Sequence, residues 1–324
     1  MRDKLYLAGF LLGAGLLSFL GRNLLQGSVV LAWAIAFGGT TTVAILGLLV
    51  YRFRLELQSS RHELARTEAE LSFARKVQQQ LFPRQLPRSG GLEFAAVCIP
   101  ARGVSGDYYD VVQLQDGRII IAIADISGKG ISAAILMANL HALLRALVSI
   151  GNSPTDVCNR LNYHLHQVTG NSRFATFFYA EWDRISRRLH YVNAGHNPPI
   201  LIGATASQVL TAGGMPLGIF PEYKCETGQI SLAPGDLLVM YSDGITEARS
   251  RLASGEEFGD RRLESLAASH REESPAEIEK RVLAAVREWS GSEPEDDMTL
   301  VIVKTTEPGP DSSKEPGSTA GGQP

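Results

Sequence analysis

The sequence predicts an α+β domain of mainly antiparallel sheet covered by helices, set behind an apolar N-terminal region and a long polar helix. Three observations point there. Short apolar runs of strand length recur between residues 92 and 304. The helical patterns fall into two clusters instead of alternating with those runs, which argues against a doubly wound parallel sheet. No charged residue occurs from Leu5 to Gly21, nor from Asn23 to Val50.

The strand-like runs are Phe94 to Ile99, Ile119 to Ala124, Thr176 to Trp182, Leu189 to Asn193, Ile200 to Gly203, Leu237 to Tyr241 and Leu300 to Val303. Helical patterning covers Ile131 to Ile150, Thr155 to Val168, Arg261 to His270 and Pro275 to Glu288. The chain has 324 residues, 44% of them apolar, which suffices for a sizeable core. Its formal net charge of −3 offers no basic field for nucleic acid. Cys98, Cys158 and Cys225 are widely spaced and odd in number, so they read as core thiols, not a disulfide framework or a zinc site.

The run from Ser28 to Tyr51 exceeds the roughly 20 residues that cross a bilayer. Leu5 to Leu20 is shorter. It reads as a first span, with a signal peptide beginning Met-Arg-Asp-Lys as the alternative. Arg2 and Lys4 precede the pair, Arg52, Arg54 and Arg61 follow it, and only Arg22 lies between. The excess of basic residues outside the pair places both ends in the cytoplasm, a multi-pass inner-membrane anchor. Residues 1–54 are thus expected to form a transmembrane hairpin.

Residues 55–91 are expected to form a linker with a coiled-coil-like helix over 55–82. Leu57, Leu64 and Leu71 are seven apart, with Ser60, Thr67, Ala74 and Leu81 as the companion seam. That pattern suits a parallel homodimer. Such a helix would extend about 40 Å from the membrane, ending at Pro83 and Pro87. The globular domain is placed at 92–304. Residues 305–324 are rich in Pro, Gly and Ser and read as a disordered tail.

Four acidic positions stand at the ends of apolar runs, beside glycine or another carboxylate: Asp107 with Asp110, Asp125, Asp243, and the pair Asp296-Asp297. Carboxylates brought together without basic partners repel. Two like charges at 4 Å cost about 4 kcal/mol at an effective dielectric near 20. Divalent cations remove that cost, and all-oxygen ligands select hard ions such as Mg²⁺ or Mn²⁺. Two such ions can acidify a shared water and aim it at phosphorus. One Asp-Gly is most often a turn; four such positions at strand ends are not.

The ordered motifs Val-Ser-Gly-Asp-Tyr-Tyr-Asp (104–110), Ala-Asp-Ile-Ser-Gly-Lys-Gly (124–130), Asn-Ala-Gly-His-Asn-Pro-Pro (193–199), Gly-Gly-Met-Pro-Leu-Gly (213–218), Tyr-Ser-Asp-Gly-Ile-Thr-Glu-Ala (241–248) and Asp-Asp-Met-Thr-Leu (296–300) resemble the SpoIIE/RsbU-type bacterial branch of the PPM (protein phosphatase 2C-like) phosphatases. The resemblance begins near residue 75, at Ala-Arg-Lys-Val-Gln-Gln-Gln-Leu-Phe-Pro, which is similar to the entry helix of these domains. It implies a central β-sandwich with helices on both faces (α-β-β-α) and two Mn²⁺ or Mg²⁺ ions. By motif, Asp125 would bridge both ions and the Ile126 carbonyl would bind one. Asp243 and Asp296 would complete the other ion's shell, with Asp107 acting directly or through water. Many members of the wider family carry Asn where Asp297 stands, so which of Asp296 and Asp297 faces metal stays open. The resemblance further implies a substrate, phosphoserine or phosphothreonine on a STAS-type anti-sigma factor antagonist.

Other signals are weaker. The eukaryotic branch holds phosphate with an arginine; Arg102 is nearby but reads as a surface residue. His196 reads as a turn residue. His164 and His166 are two apart on a helix and face apart. Gly128-Lys129-Gly130 fails the P-loop pattern, since Ile123 and Gly130 stand where glycine and Ser or Thr are needed. Arg61 to Thr67 departs from a histidine-kinase box at Ala65. The competing function is a catalytically silent, membrane-tethered binding module.

Overall fold

In the computed structural model the described residues are 12–16, 18–19, 29–87, 91–148, 152–170, 172–252, 255–291 and 293–307. The chain divides into two compact units, Met1–Glu70 and Leu71–Pro324.

Helix α1, Val29–Gln79, is 51 residues long and unbroken. The sequence reading separates an apolar span from a second helix beginning at 55. The backbone makes no such division, because the change at Arg52 is one of charge, and Arg, Leu, Glu and Gln all favour helix. Thr40, Thr41 and Thr42 donate their hydroxyls back to the carbonyls of Ala36, Phe37 and Gly38 at 2.9, 2.7 and 2.8 Å. The helix ends at Gln79, and tight i→i−3 bonds from the Gln80 and Leu81 N–H groups carry the chain toward Pro83. Of the expected first span and turn (5–27), only 12–16 and 18–19 lie within the described residues, and these are helical.

The second unit contains two sheets. One has the order β1-β11-β10-β6-β7, with β1 Leu92–Ile99, β6 Ile200–Ile202, β7 Ser207–Val209, β10 Leu237–Tyr241 and β11 Met298–Thr305. The other runs β2-β3-β4-β5-β8, with β2 Tyr108–Gln113, β3 Ile119–Ile126, β4 Ala175–Asp183, β5 Arg188–Ala194 and β8 Gly213–Gly214; β9 Gly228–Ser231 also pairs with β5. All these pairings are antiparallel except β5 with β8.

The strands' period of two sorts their side chains into three cores. Between the sheets lie Tyr109, Val111, Ile119, Ile121, Ile123, Phe178 and Trp182, facing Leu201, Leu238, Met240, Val301 and Val303. On the outer face of the β2–β5 sheet, Tyr108, Ile120, Ala122 and Ala124 pack against α2 (Ile131–Val148) and α3 (Pro154–Thr169). On the outer face of the other sheet, Val239, Tyr241, Leu300 and Ile302 pack against α5 (Gly259–Ser269) and α6 (Pro275–Ser290). A single turn of helix, α4 (Asp243–Thr246), follows β10 directly. The result is the four-layer α-β-β-α arrangement. Strand β3 is buried on both faces, which is why it reads as one apolar run. Residue 150 and residues 308–324, including most of the expected tail, lie outside the described residues; Thr305 belongs to β11.

Candidate active site

The inter-sheet core turns acidic at one end. In β3, Ile119, Ile121 and Ile123 face the other sheet, and Asp125 is next in that alternation. In β2, Val111 and Tyr109 face the same way, and Asp107 follows in the reverse direction. The antiparallel register, Tyr108 opposite Ala124, sets Asp107 beside Asp125. From the second sheet, Asp243 opens α4 after β10, and Asp296-Asp297 lead into β11; Tyr241 lies opposite Leu300. The sequence-predicted positions Asp107, Ile126, Asp125, Asp243, Asp296 and Asp297 therefore gather at one end of the sandwich.

Their mutual electrostatics are those of a cluster. Burial, then the neighbouring Asp125 charge, holds the Asp107 carboxyl well above the ordinary range. Burial, followed by the charges of Asp243, Asp296 and Asp297, pushes Asp125 up to about 7. Asp243 is raised by burial and then by Asp296. Asp107 Oδ2 is buried with no hydrogen-bond partner.

Asp296 and Asp297 are engaged differently. Asp297 Oδ1 accepts from the Ala101 N–H at 2.8 Å, and its Oδ2 accepts from Ser105 Oγ at 2.8 Å and the Gly106 N–H at 2.7 Å. It thus ties down the loop that carries Asp107. Asp296 Oδ2 meets Lys129 Nζ at 2.6 Å. With those side chains so turned, no three acidic, imidazole or thiol groups among the described residues close around a single point. The donor set nevertheless fits a hard cation. It is all oxygen, it includes an orphaned buried carboxylate atom, and its buried members repel one another, with the exposed Lys129 ammonium paired to Asp296 at the edge.

Two glycines permit the close approaches. A Cβ on Gly128, where φ is +95°, would fall 1.8 Å from Nη1 of Arg173, whose guanidinium donates to the Ser127 carbonyl at 2.7 Å. A Cβ on Gly244 would fall 2.1 Å from the Asp297 carbonyl oxygen.

Sequence reasoning assigned no role to Gln78, Ser105 or Arg145. The buried Gln78 amide, near the end of α1, accepts from the Ser105 N–H at 2.9 Å and donates to its carbonyl at 2.7 Å. The signal available was a polar residue in the helical entry segment. Arg145 of α2 forms a two-pronged ion pair with the fully buried Asp110, both contacts at 2.6 Å, and Tyr108 donates its hydroxyl to the same carboxylate at 2.7 Å. Asp110 therefore belongs to the sheet–helix layer, away from the other aspartates.

His196 is buried, with Nδ1 2.8 Å from Thr176 Oγ1, and Thr176 lies opposite Asp125 in the β3–β4 register. The turn itself is closed by Asn193, whose side chain accepts from the His196 N–H at 2.8 Å and donates to its carbonyl at 3.1 Å. Burial lowers the ring's pKa to about 4, so it is neutral at pH 7. His164 and His166 lie on α3, His166 with its Nδ1 3.2 Å from the Gly218 carbonyl oxygen, and Arg102 is exposed.

The acidic cluster makes a testable statement about pH. Asp125 binds its proton more tightly in the folded chain, so its contribution to stability is present below pH 4 and is lost as pH rises to about 7. The Mn²⁺-induced rise in Tm should accordingly be larger at pH 8 than at pH 5. Equal shifts at both would contradict the cluster's raised pKa.

Two antiparallel sheets between helix layers, with aspartates converging at one end, define the protein phosphatase 2C-like class. A family profile for stage II sporulation protein E (SpoIIE) matches residues 115–306. The phosphoserine phosphatase RsbU of Bacillus subtilis is 32% identical over 239 residues, covering 73% of this chain and 70% of that protein. The SiaA-PP2C domain of Pseudomonas aeruginosa has a similar fold, with a TM-score of 0.67 at 19% identity over 76% of this chain and 99% of that one. RsbX, solved in complex with magnesium, aligns with a TM-score of 0.53 at 18% identity over 68% of this chain and 99% of that one. The chain belongs to the SpoIIE/RsbU-type branch of the PPM serine/threonine phosphatases.

Proposed function

We propose that this phosphatase hydrolyses phosphoserine or phosphothreonine on a STAS-type partner protein, in a reaction that depends on two divalent cations, Mn²⁺ or Mg²⁺. The observation that carries the metal dependence is the convergence of Asp107, Asp125, Asp243 and Asp296 from both sheets, with the charge of Asp125 raising the pKa of Asp107 and the charges of Asp243 and Asp296 raising that of Asp125. Asp125 would lie between the ions, with the Ile126 carbonyl on one and Asp243 and Asp296 on the other. Asp107 would act directly or through water. Asp297, its oxygens already taken by three donors, holds the Asp107 loop in place and is the weaker choice for a ligand. When bound, the ions supply positive charge for the phosphoryl oxygens and lower the pKa of water beside the phosphorus. The chain's own residues fix that geometry. β2 and β3 set the Asp107–Asp125 pair, β10 and β11 set the other two, and Asp297 with Gln78 fixes the 101–107 loop.

The apolar half of α1 is long enough to cross a bilayer, and the side chains described there are almost all exposed. Its threonine hydroxyls are satisfied within the helix, as a lipid environment requires. We assign it to a multi-pass anchor in the inner membrane with the phosphatase domain in the cytoplasm. Beyond it, Leu57 and Leu64 are exposed and suit a homodimeric seam. The test is release of phosphate from a phosphoserine STAS protein by the full-length chain in detergent. Turnover with Mn²⁺ that stops on chelation is expected; turnover unaffected by chelation would contradict the metal-dependent reading.

A further inference from the structure

We propose that Lys129 is the phosphate-positioning cation of this active site, a role that rests on the metal-dependent phosphatase reading. Lys129 stands in the loop between β3 and α2, four residues after Asp125, the last carboxylate of β3. Among the described residues, it is the cation that forms an ion pair with the converging aspartates, at 2.6 Å from Asp296 Oδ2. It also lines a cleft of about 240 Å³ together with Gly244, Glu247, Arg249, Arg287 and Asp296. Gly244 and Asp296 belong to the acidic end of the sandwich, so this cleft borders it.

Two physical arguments give Lys129 its role. The first is charge. Two divalent cations still leave five ionised aspartates with a net negative excess, and a phosphate monoester adds between one and two further negative charges. A cation on the open side is needed to draw the ester in against that rim. The second is mobility. The Lys129 and Asp296 side chains are 52% and 46% exposed, so their pairing contributes little and is readily exchanged. With the Asp296 carboxylate committed to a metal ion, the ammonium would be without its partner, and its four-carbon stem would let it turn to an incoming phosphate. Lysine binds phosphate as a point charge and does not need the fixed fork of arginine.

The experiment uses the full-length chain in detergent, loaded with Mn²⁺, and inorganic phosphate as the probe. Phosphate affinity is measured by equilibrium dialysis and as competitive inhibition, for the wild type, Lys129→Met and Lys129→Arg. Mn²⁺ affinity is measured separately without phosphate. The expected result is a loss of phosphate affinity of roughly tenfold in Lys129→Met, with KM for a phosphoserine peptide raised by a similar factor, the value expected for one charge-assisted contact. Lys129→Arg should recover most of the loss, and Lys129→Met should bind Mn²⁺ as tightly as the wild type or more tightly. Unchanged phosphate affinity in Lys129→Met would overturn the proposal alone. So would a loss that merely follows weakened Mn²⁺ binding, which would make Lys129 a tether for Asp296. Absence of Mn²⁺-dependent phosphate binding in the wild type would overturn the proposal together with the reading beneath it.

Discussion

Asp125→Asn is expected to lower turnover of a phosphoserine substrate by on the order of a thousandfold, the scale of losing a central electrostatic element of a site. The reasoning runs from position. Asp125 is the one carboxylate whose pKa is raised by three other aspartates, so it stands at the centre of the group. Asparagine keeps its shape and cannot carry the charge that would hold two cations together. The same substitution removes a buried repulsion, so the metal-free variant should unfold at a Tm no lower than that of the wild type. Kinetics with Mn²⁺ and a thermal melt in chelator check the two halves. A variant that is inactive because it is unfolded, or one that keeps full activity, would each contradict this assignment.

Arg145→Met is expected to cost the largest amount of stability, about 3 kcal/mol, at the low end of what breaking a buried ion pair costs. Asp110 is fully buried and accepts both prongs of the guanidinium, so losing Arg145 strands a charge in the sheet–helix layer. Two features hold the figure down. Arg145 is itself 41% exposed, so water can reach the gap, and Tyr108 continues to donate to the carboxylate. Urea denaturation measures the loss. Pairing the change with Asp110→Asn should restore part of it, because the stranded charge is then gone. A loss below about 1 kcal/mol would mean that Asp110 is compensated by something other than Arg145.

Much of this molecule is legible in its sequence, and the illegible parts share causes. β3, β4, β10 and β11 read as strands because each is apolar on both faces, sandwiched between the other sheet and a helix layer. β2 escapes because Asp110 breaks its apolar run, and the arginine that neutralises it lies 35 residues further on. β7, β8 and β9 escape because they are two to four residues long and little buried. α4 reads as an Asp-Gly turn because it is a single helical turn. The aspartates of the site are legible because Asp125, Asp243 and Asp296-Asp297 abut the apolar runs of β3, β10 and β11, and because Asp107 follows a glycine within the motif at 104–110. Which of the adjacent pair Asp296-Asp297 does what is not. That depends on the N–H groups of Ala101 and Gly106, which only the folded loop brings into reach. Near residue 55 the charge changes and the helix runs on, so the sequence marks a change of surroundings there and not an end of the element.

Isothermal titration of Mn²⁺ onto the full-length chain, stripped with chelator and held in detergent at pH 7.5, tests the central claim most directly. The account predicts saturable binding of two Mn²⁺ per chain, accompanied by proton release and strongly weakened in Asp125→Asn. A folded chain that takes up no Mn²⁺ at millimolar concentration, or an Asp125→Asn variant that binds it as the wild type does, would contradict it.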